Sequence, residues 1–194
     1  IMVNAINDSL GNYGKTIDLT QPSLLKAGDD KAVAQLIEDM NAGKVGALIM
    51  SGVNPSYTLA NAAAFNAGLK KVSLSISSAL SMDETSENAE YVCPDRHYLE
   101  SWSDAKATPN KVAFTQPTIQ PLFDSRQIQE SLMVWSGDDT EYYTYLKKYW
   151  RSKVSWSSSL HDGLADVSAN SLSVSSFSAN VSSISTQGKG LELA

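Results

Sequence analysis

The residues best suited to chemistry in this sequence follow two short apolar runs. The loop Ser51–Pro55 comes directly after the run Val45–Met50. It combines Gly52, which permits close backbone approach, with the amide of Asn54 and the start of a helical pattern. Such a loop can hold a phosphate or a nucleotide, although a tight strand-to-helix turn uses the same residue types and is the more common meaning. Neither a glycine-rich dinucleotide fingerprint nor a P-loop lysine motif is present.

An acidic segment, Asp83–Glu90, follows the second apolar run. Paired carboxylates at such a place could transfer protons in acid–base catalysis. In a protein that is acidic overall, however, a run of this kind usually forms a solvated, capped turn. Both interpretations place Glu84 and Thr85 at the same edge of a sheet as the Asn54 loop, because loops that follow parallel strands meet at one edge.

Two histidines stand beside carboxylates. The stretch Asp95–His97, followed by Glu100, brings together an acid, a guanidinium and an imidazole, but a charged turn held by an arginine–carboxylate pair is the commoner arrangement. His161 adjoins Asp162 without any Gly-x-Ser-x-Gly elbow in the chain, so a serine hydrolase is not indicated. The sequence predicts no catalytic residue.

Composition excludes several classes of partner and site. The chain has 194 residues and a formal net charge of −6, and this acidity argues against nucleic acid because a phosphate backbone needs a basic surface. The single cysteine, Cys93, can form no internal disulfide and no Cys-x-x-Cys metal motif, so no metal site is expected within these residues. Apolar runs fall far short of the roughly 20 residues that span a bilayer, and direct membrane insertion is not expected.

Apolar spacing predicts an α/β domain with a mainly parallel sheet. A helix capped by Asp29 or Asp30 ends at Gly43. Val45–Met50 resembles a strand buried on both faces, and it is followed by a helix over Thr58–Ala67 and a second strand over Lys71–Ile76. These three elements form a βαβ unit with parallel strands, whose ligand crevice lies at the carboxyl end of the first strand.

The second half of the chain is predicted with less regular structure. Segment 94–127 contains many prolines and large apolar groups, and we expect an ordered, largely irregular excursion in which Arg96 or Arg126 pairs with a carboxylate such as Glu100 or Asp124. A helix capped by Asp124 runs to Gly137. Another opens at Asp138 or Asp139 and carries aromatic residues for packing. The predicted domain covers 1–151. Residues 152–194 are predicted to form a serine-rich loop and a weak β-hairpin, as a tail or as a junction to a following domain.

The chain opens on the end of a helical pattern closed by Gly11. The first residues lack the positive and apolar regions of a signal peptide, which says nothing about the compartment of the parent. Because the helical pattern would begin before residue 1, we interpret the chain as a piece of a larger protein. We expect the outer surface of segment 94–127 to face a neighbouring subunit or another part of that protein.

Seven motifs stand along the chain: Gly52–Pro55, Glu84–Thr85, Ala89–Pro94, Pro94–Glu100, Leu99–Asp104, Gln116–Gln127 and Glu130–Leu132. Taken in order, they resemble the third domain of the molybdopterin oxidoreductase family, and the resemblance runs from about Ile1 to Gly163. The most specific stretch, Gln116–Gln127 read together with Pro94–Glu100, is similar to the molybdopterin-like half of the B subunit of bacterial alternative complex III. Ser103 and Cys93 depart from the family, which usually has glycine and an aliphatic residue there.

The resemblance implies a Rossmann-like domain of a subunit on the periplasmic side of the bacterial inner membrane, exported as a folded twin-arginine-type precursor. Its partners would be other domains and subunits of a membrane-bound, quinol-oxidising respiratory complex. Iron–sulfur clusters would lie in another part of the parent. In the wider family, loops of this kind line a molybdopterin guanine dinucleotide. The residues carried over are Gly52, Asn54, Pro55, Glu84 and Thr85.

In the complex III branch this half keeps the fold and lacks the cofactor, so the resemblance implies a non-catalytic scaffold with a vestigial site. Two alternatives stay open. One is the cofactor-binding domain of an active molybdenum oxidoreductase of the polysulfide or thiosulfate reductase type, whose metal ligand and second dinucleotide-binding domain would lie outside this sequence. The other is a stand-alone nucleotide-binding module, which accounts for the βαβ unit but leaves Gln116–Pro121 unexplained.

Overall fold

The computed structural model describes residues 2–26 and 28–168. None of the helices in this part of the chain is both long and apolar enough to cross a bilayer. The helices are α1 (Met2–Ser9), α2 (Asp30–Asn41), α3 (Pro55–Thr58), α4 (Ala62–Leu69), α5 (Ile128–Trp135), α6 (Tyr142–Trp150) and α7 (Trp156–Asp162). The strands are β1 (Ala47–Met50), β2 (Leu74–Ser77), β3 (Tyr91–Val92), β4 (Ser103–Thr108), β5 (Lys111–Thr115) and β6 (Leu164–Asp166), with 3₁₀ turns at Ser86–Asn88 and Tyr98–Glu100.

The predicted βαβ unit is confirmed. Strands β1, β2 and β3 form a parallel sheet in that order, with Ala47 opposite Leu74 and Met50 opposite Ser77. The single helix predicted over Thr58–Ala67 is two helices, α3 and α4, because the backbone is extended at Leu59. We call residues 30–92 the parallel region.

The core of the parallel region lies between the sheet and two helices. Asp29 caps α2 as predicted, accepting hydrogen bonds from two backbone N–H groups of the first turn. Gly68 lets α4 approach α2 closely, since a Cβ there would lie 2.9 Å from the Cβ of Met40. The buried apolar residues are Met40, Met50, Phe65, Leu69 and Val72.

The expectation that β1 is buried on both faces is wrong. Leu48 and Met50 face the helices, whereas Ile49 lies on the opposite face and is 44% exposed. Leu74 of β2 lies on the same face as Ile49 and is 39% exposed. A continuous apolar run therefore indicates a parallel strand here without indicating that both of its faces are covered.

Segment 94–127 is ordered, but the prediction that it is largely irregular is wrong for its middle. Strands β4 and β5 form an antiparallel hairpin around Pro109 and Asn110, and β6 pairs with the other edge of β5. The hairpin forms because Val112 and Phe114 alternate toward a buried face, where they are 0% and 7% exposed. An alternation of only two apolar residues is a weak sequence signal for a strand. The pairing of β5 with β6 joins residues that are far apart along the chain, so local sequence does not indicate it.

Helices α5, α6 and α7 cover this second sheet, and we call residues 102–168 the antiparallel region. Helix α5 begins after Gln127 and not at Asp124, and α6 begins after Glu141. Asp138 instead accepts a hydrogen bond from the Thr140 N–H in a turn. The buried core residues are Val112, Phe114, Tyr142, Leu146 and Trp150.

Part of the predicted serine-rich loop is regular structure. Helix α7 and strand β6 lie between residues 156 and 166, where Trp156 and Leu160 pack on the antiparallel core. Their spacing of four residues places both side chains on one helical face. The predicted hairpin, with its alternation at Leu172, Val174, Val181 and Ile184, lies outside the described residues.

Polar contacts join the segment directly after the parallel region to the antiparallel region. Asp95 accepts hydrogen bonds from the backbone N–H of Ile128 and of Arg96 at 3.0 and 2.8 Å. Arg96 forms an ion pair, as predicted, but its partner is Glu130 at 3.5 Å and not Glu100 or Asp124. Because Asp95 and Arg96 follow β3 while Glu130 lies on α5, these contacts fix the orientation of α5 relative to the parallel sheet.

Candidate functional site

Two loops meet at the carboxyl end of the parallel sheet. One follows β1 and carries Gly52 and Asn54, and the other follows β2 and carries Asp83, Glu84 and Thr85. Gly52 has a φ of 64°, a conformation that glycine adopts without strain. A Cβ at Gly52 would meet no atom within 4 Å, so this glycine serves the turn and not a close packing contact. The predicted meeting of the two loops is confirmed.

Hydrogen bonds tie the two loops together. The Asn54 amide donates to Glu84 Oε2 at 2.7 Å. The Thr85 hydroxyl donates to Asn54 Oδ1 at 2.7 Å and accepts from the Ser56 N–H at 2.9 Å. Thr85 is fully buried, so water cannot substitute for these partners. We call this set of hydrogen bonds among Asn54, Ser56, Glu84 and Thr85 the loop bridge.

The acidic turn forms a capped structure, the usual arrangement for such a run. Asp83 accepts hydrogen bonds from the backbone N–H of Ser86 at 2.7 Å and of Thr85 at 3.1 Å. The Ser86 N–H bond and the other hydrogen bonds lower the pKa of Asp83, and the Asn54 amide lowers the pKa of Glu84. Both carboxylates therefore stay ionised near neutral pH, which suits hydrogen-bond acceptors and not general acids.

The start of α3 offers fewer free donors than the sequence suggests. Pro55 is the first residue of this four-residue helix and has no N–H. The N–H of Ser56 bonds to Thr85 in the loop bridge. The phosphate-binding arrangement considered for this loop therefore lacks two donors in the conformation described.

The turn that contains Asp95, Arg96, His97 and Glu100 is also structural. Glu100 accepts from the backbone N–H of His97 at 3.1 Å and of Leu122 at 3.0 Å. His97 Nδ1 accepts from the Leu99 N–H at 3.3 Å. These bonds cap the 3₁₀ turn and leave the charged turn as the better description, as the residue types indicated.

A cleft of about 340 Å³ lies beside the loop bridge. Its walls include Gly52, Asn54, Asp83 and Arg96, together with Ser78. Ser78 is 3% exposed, and its Oγ has no hydrogen-bond partner among the described residues. An unpaired buried hydroxyl is uncommon in proteins. Ser78 is not among the site residues predicted from the sequence, although its place directly after β2 marks it as a crevice residue.

Other predicted chemistry does not converge on this cleft. His161 contacts Asp162 at 2.9 Å on the exposed end of α7. Within residues 2–26 and 28–168, no group of three or more His, Cys, Asp or Glu side chains is arranged to hold a metal ion.

Comparison with known proteins identifies the family. Residues 3–132 match the family model described as molybdopterin oxidoreductase. The fold is similar to acetylene hydratase from Pelobacter acetylenicus at 22% identity and a TM-score of 0.48, covering 55% of this chain and 16% of that one. The chain thus corresponds to about a sixth of that protein's length, and no curated protein sequence matches it. Because the family model covers well over half of the sequence, the chain belongs to the molybdopterin oxidoreductase family.

Proposed function

We propose that the chain is a non-catalytic scaffold domain of a membrane-bound, quinol-oxidising respiratory complex. It would form part of the molybdopterin-like half of a subunit like the B subunit of bacterial alternative complex III. That subunit would face the periplasm and carry its iron–sulfur clusters in another part. Support for this specific branch comes from the resemblance at Gln116–Gln127 and Pro94–Glu100.

The loop bridge is the observation that carries the scaffold proposal. Asn54, Glu84 and Thr85 are the residues that the family resemblance assigns to the cofactor. Here their side chains bond to one another across the two loops. Side chains that satisfy each other stabilise the sheet edge without a ligand, since a bound ligand would have to break those bonds to use them.

The cleft is a poor fit for a whole pterin dinucleotide. Its volume of about 340 Å³ lies near the lower end of the range for drug-sized ligands, roughly 300–1,000 Å³, and a pterin dinucleotide is larger than most such ligands. Asp83 and Asp95 direct oxygens to backbone N–H groups of this chain. These residues thus do not fit the complete cofactor, and we assign no chemical step to it.

One observation favours the second candidate, a cofactor-binding domain of an active molybdenum oxidoreductase. The unpaired hydroxyl of Ser78 lines the cleft and could donate one hydrogen bond to a polar ligand edge. In that case a second domain would complete the site, because large ligands are commonly clasped between domains.

An exposed apolar surface supports assembly with a neighbouring subunit. Leu80 and Phe123 border one cavity next to the cleft and are 58% and 81% exposed. Leu122 lines the same cavity and is 73% exposed. Adjacent apolar side chains of this size commonly mark protein–protein contacts. We therefore propose that the outer surface of segment 94–127 faces another part of the complex.

The test uses the tagged full-length parent in its native bacterium, extracted from membranes in mild detergent. We expect it to co-purify with quinol-oxidising activity, and Phe123→Ser to reduce the yield of the assembled complex. Tyr57→Ser is the matched control, because Tyr57 is also exposed, at 75%, but lies outside that surface. Quinol turnover per assembled complex should stay unchanged in both variants. Purification of the parent alone, with full activity toward a soluble substrate, would contradict the proposal.

A further inference from the structure

A second cavity lies beside α6 and shares no lining residue with the loop bridge. It has a volume of about 880 Å³ and lies between α6, the β4 residues Asp104 and Lys106, and the segment after β6. This volume is within the usual range for small-molecule sites. No residue of this cavity belongs to the site described above. Its charged residues are Asp104, Lys106 and Lys153.

One wall of the cavity consists of tyrosines with nearly parallel rings. Tyr142, Tyr145 and Tyr149 lie at positions i, i+3 and i+7 of α6, which places them along one face. The ring planes differ by 21° between Tyr142 and Tyr145 and by 13° between Tyr145 and Tyr149. Tyr145 and Tyr149 are 44% and 48% exposed. The exposed rings of Tyr145 and Tyr149 therefore offer aromatic surface to a planar ring.

The charged groups of the cavity are one carboxylate, which already accepts hydrogen bonds, and two ammonium groups. Asp104 accepts from the Trp150 indole N–H at 2.7 Å and from the Tyr142 hydroxyl at 3.5 Å. Neither Lys106 nor Lys153 forms an ion pair with a carboxylate of the described residues. Lys153 Nζ instead lies 3.1 Å from the centroid of the Tyr149 ring. The cavity therefore has two ammonium groups to one carboxylate, and the ammonium group of Lys153 lies above an aromatic face.

From this geometry we infer a binding site for a planar aromatic ligand that carries an anionic group. The ring stacks on Tyr145, and the anion pairs with Lys106 and Lys153 at the rim. Asp104 keeps its role inside the protein, because its hydrogen bonds hold Tyr142 and Trp150 in place as the floor of the site. The Tyr142 hydroxyl, whose pKa is raised to about 12 by burial and the charge of Asp104, donates to Asp104 Oδ1.

Two flavins provide probes that differ in one feature. Flavin mononucleotide has a planar ring and a phosphate, whereas riboflavin has the same ring system without the phosphate. The readout is quenching of flavin fluorescence on titration with the full-length chain. We expect flavin mononucleotide to bind with a Kd below about 100 μM, and riboflavin to bind at least about tenfold more weakly because it lacks the charge-assisted contacts.

Variants separate the stacking wall from the cations. Lys106→Gln with Lys153→Gln should weaken flavin mononucleotide to the affinity of riboflavin and leave riboflavin unchanged. Tyr145→Leu should weaken both, while Tyr98→Leu, at an exposed tyrosine elsewhere, should change neither. Circular dichroism confirms that each variant is folded. Absence of binding at millimolar probe, equal affinity for the two flavins, or insensitivity to the lysine changes would overturn the inference.

Discussion

The parallel and antiparallel regions bury different kinds of side chain. They also differ in whether hydrogen bonds close the edge of the region or a cavity stays open there. The parallel region has a mainly aliphatic core around Met40 and Leu69, and its edge loops are joined by the loop bridge. The antiparallel region has an aromatic core around Phe114 and Trp150, and it leaves a wide cavity beside α6. The family resemblance points to the edge of the parallel sheet for ligand binding. The cavity beside α6, at about 880 Å³, is larger than the cleft of about 340 Å³ at that edge.

The two regions differ in whether their polar side chains already have partners within the chain. The loops at the parallel edge retain the residue types of a ligand site, yet Asn54 and Thr85 already satisfy each other. Lys106 and Lys153 border open space and have no carboxylate partner among the described residues. Hydrogen-bond partners therefore add information that residue type alone does not give. At the parallel edge, Asn54 and Thr85 are paired with each other, and Ser78 Oγ is the buried side-chain atom left unpaired among the described residues.

The largest expected loss of stability comes from truncating one core leucine in each region. Leu69 and Leu146 are each 2% exposed, one in each region. Leu69→Ala and Leu146→Ala should each lower the free energy of unfolding by about 2–5 kcal/mol, because both leave a cavity. Urea denaturation followed by far-UV circular dichroism measures both changes.

The same pair tests whether the regions unfold together. All four tryptophans lie in the antiparallel region, so tryptophan fluorescence reports on that region alone. We expect Leu69→Ala to shift the fluorescence midpoint as well, since Asp95 and Arg96 connect the regions. A fluorescence midpoint that stays at the wild-type value would show that the two regions unfold independently.

Breaking the loop bridge should have the next largest effect. Thr85→Val keeps the side-chain shape but leaves Asn54 Oδ1 and the Ser56 N–H without their partner. An unsatisfied buried polar group costs about 1–3 kcal/mol, and Thr85 is fully buried. Thr115→Val, at an exposed strand position, is the control and should be near neutral. Equal stability of both variants would show that the loop bridge contributes nothing.

Alkaline pH should weaken the antiparallel region selectively. Burial, with Asp104, raises the pKa of Tyr142 to about 12 from an ordinary value of 10.0. Between these values the unfolded chain loses this proton while the folded chain keeps it, so stability falls as pH rises through that window. Tyr142→Phe should remove this part of the pH dependence, measured by thermal melts from pH 9 to 12. Unchanged pH dependence in Tyr142→Phe would refute the assignment.

Acidic pH should have the smallest effect on stability, through Glu84 at the carboxyl end of the parallel sheet. Hydrogen bonding from Asn54 lowers the pKa of the exposed Glu84 carboxylate. Its stabilising contribution is therefore complete above the ordinary glutamate pKa of about 4.3 and is lost as pH falls through the lower, folded value. Glu84→Gln should slightly flatten the stability curve below pH 5. A larger acid sensitivity in this variant than in the wild type would contradict the assignment.

Local patterns predicted the parallel region because each element carries its own signal. The apolar run that ends at Met50 indicates β1, and the N-cap residue Asp29 marks the start of α2. The meeting of Asn54 with Glu84 also followed from the sequence, because parallel strands bring their trailing loops to one edge. What could not be predicted was that the two side chains would bond to each other.

The antiparallel region was harder to predict because its order depends on distant partners. Strand β4 is rich in small and charged residues, and β5 pairs with β6 about 50 positions later. The aromatic face of α6 was predicted to pack. Tyr142 and Trp150 do so, whereas Tyr145 and Tyr149 stay open. Helical spacing shows that such residues share a face but not how far the neighbouring sheet extends over it.

The most direct test of the scaffold account is the molybdenum and pterin content of the full-length parent, purified within its membrane complex. Metal is measured by mass spectrometry and pterin by fluorescence after oxidative release. Our account predicts that the assembled, quinol-oxidising complex contains both at levels far below one per subunit. Stoichiometric molybdenum and pterin, lost together in Ser78→Ala, would contradict it and establish the cleft as part of a working cofactor site.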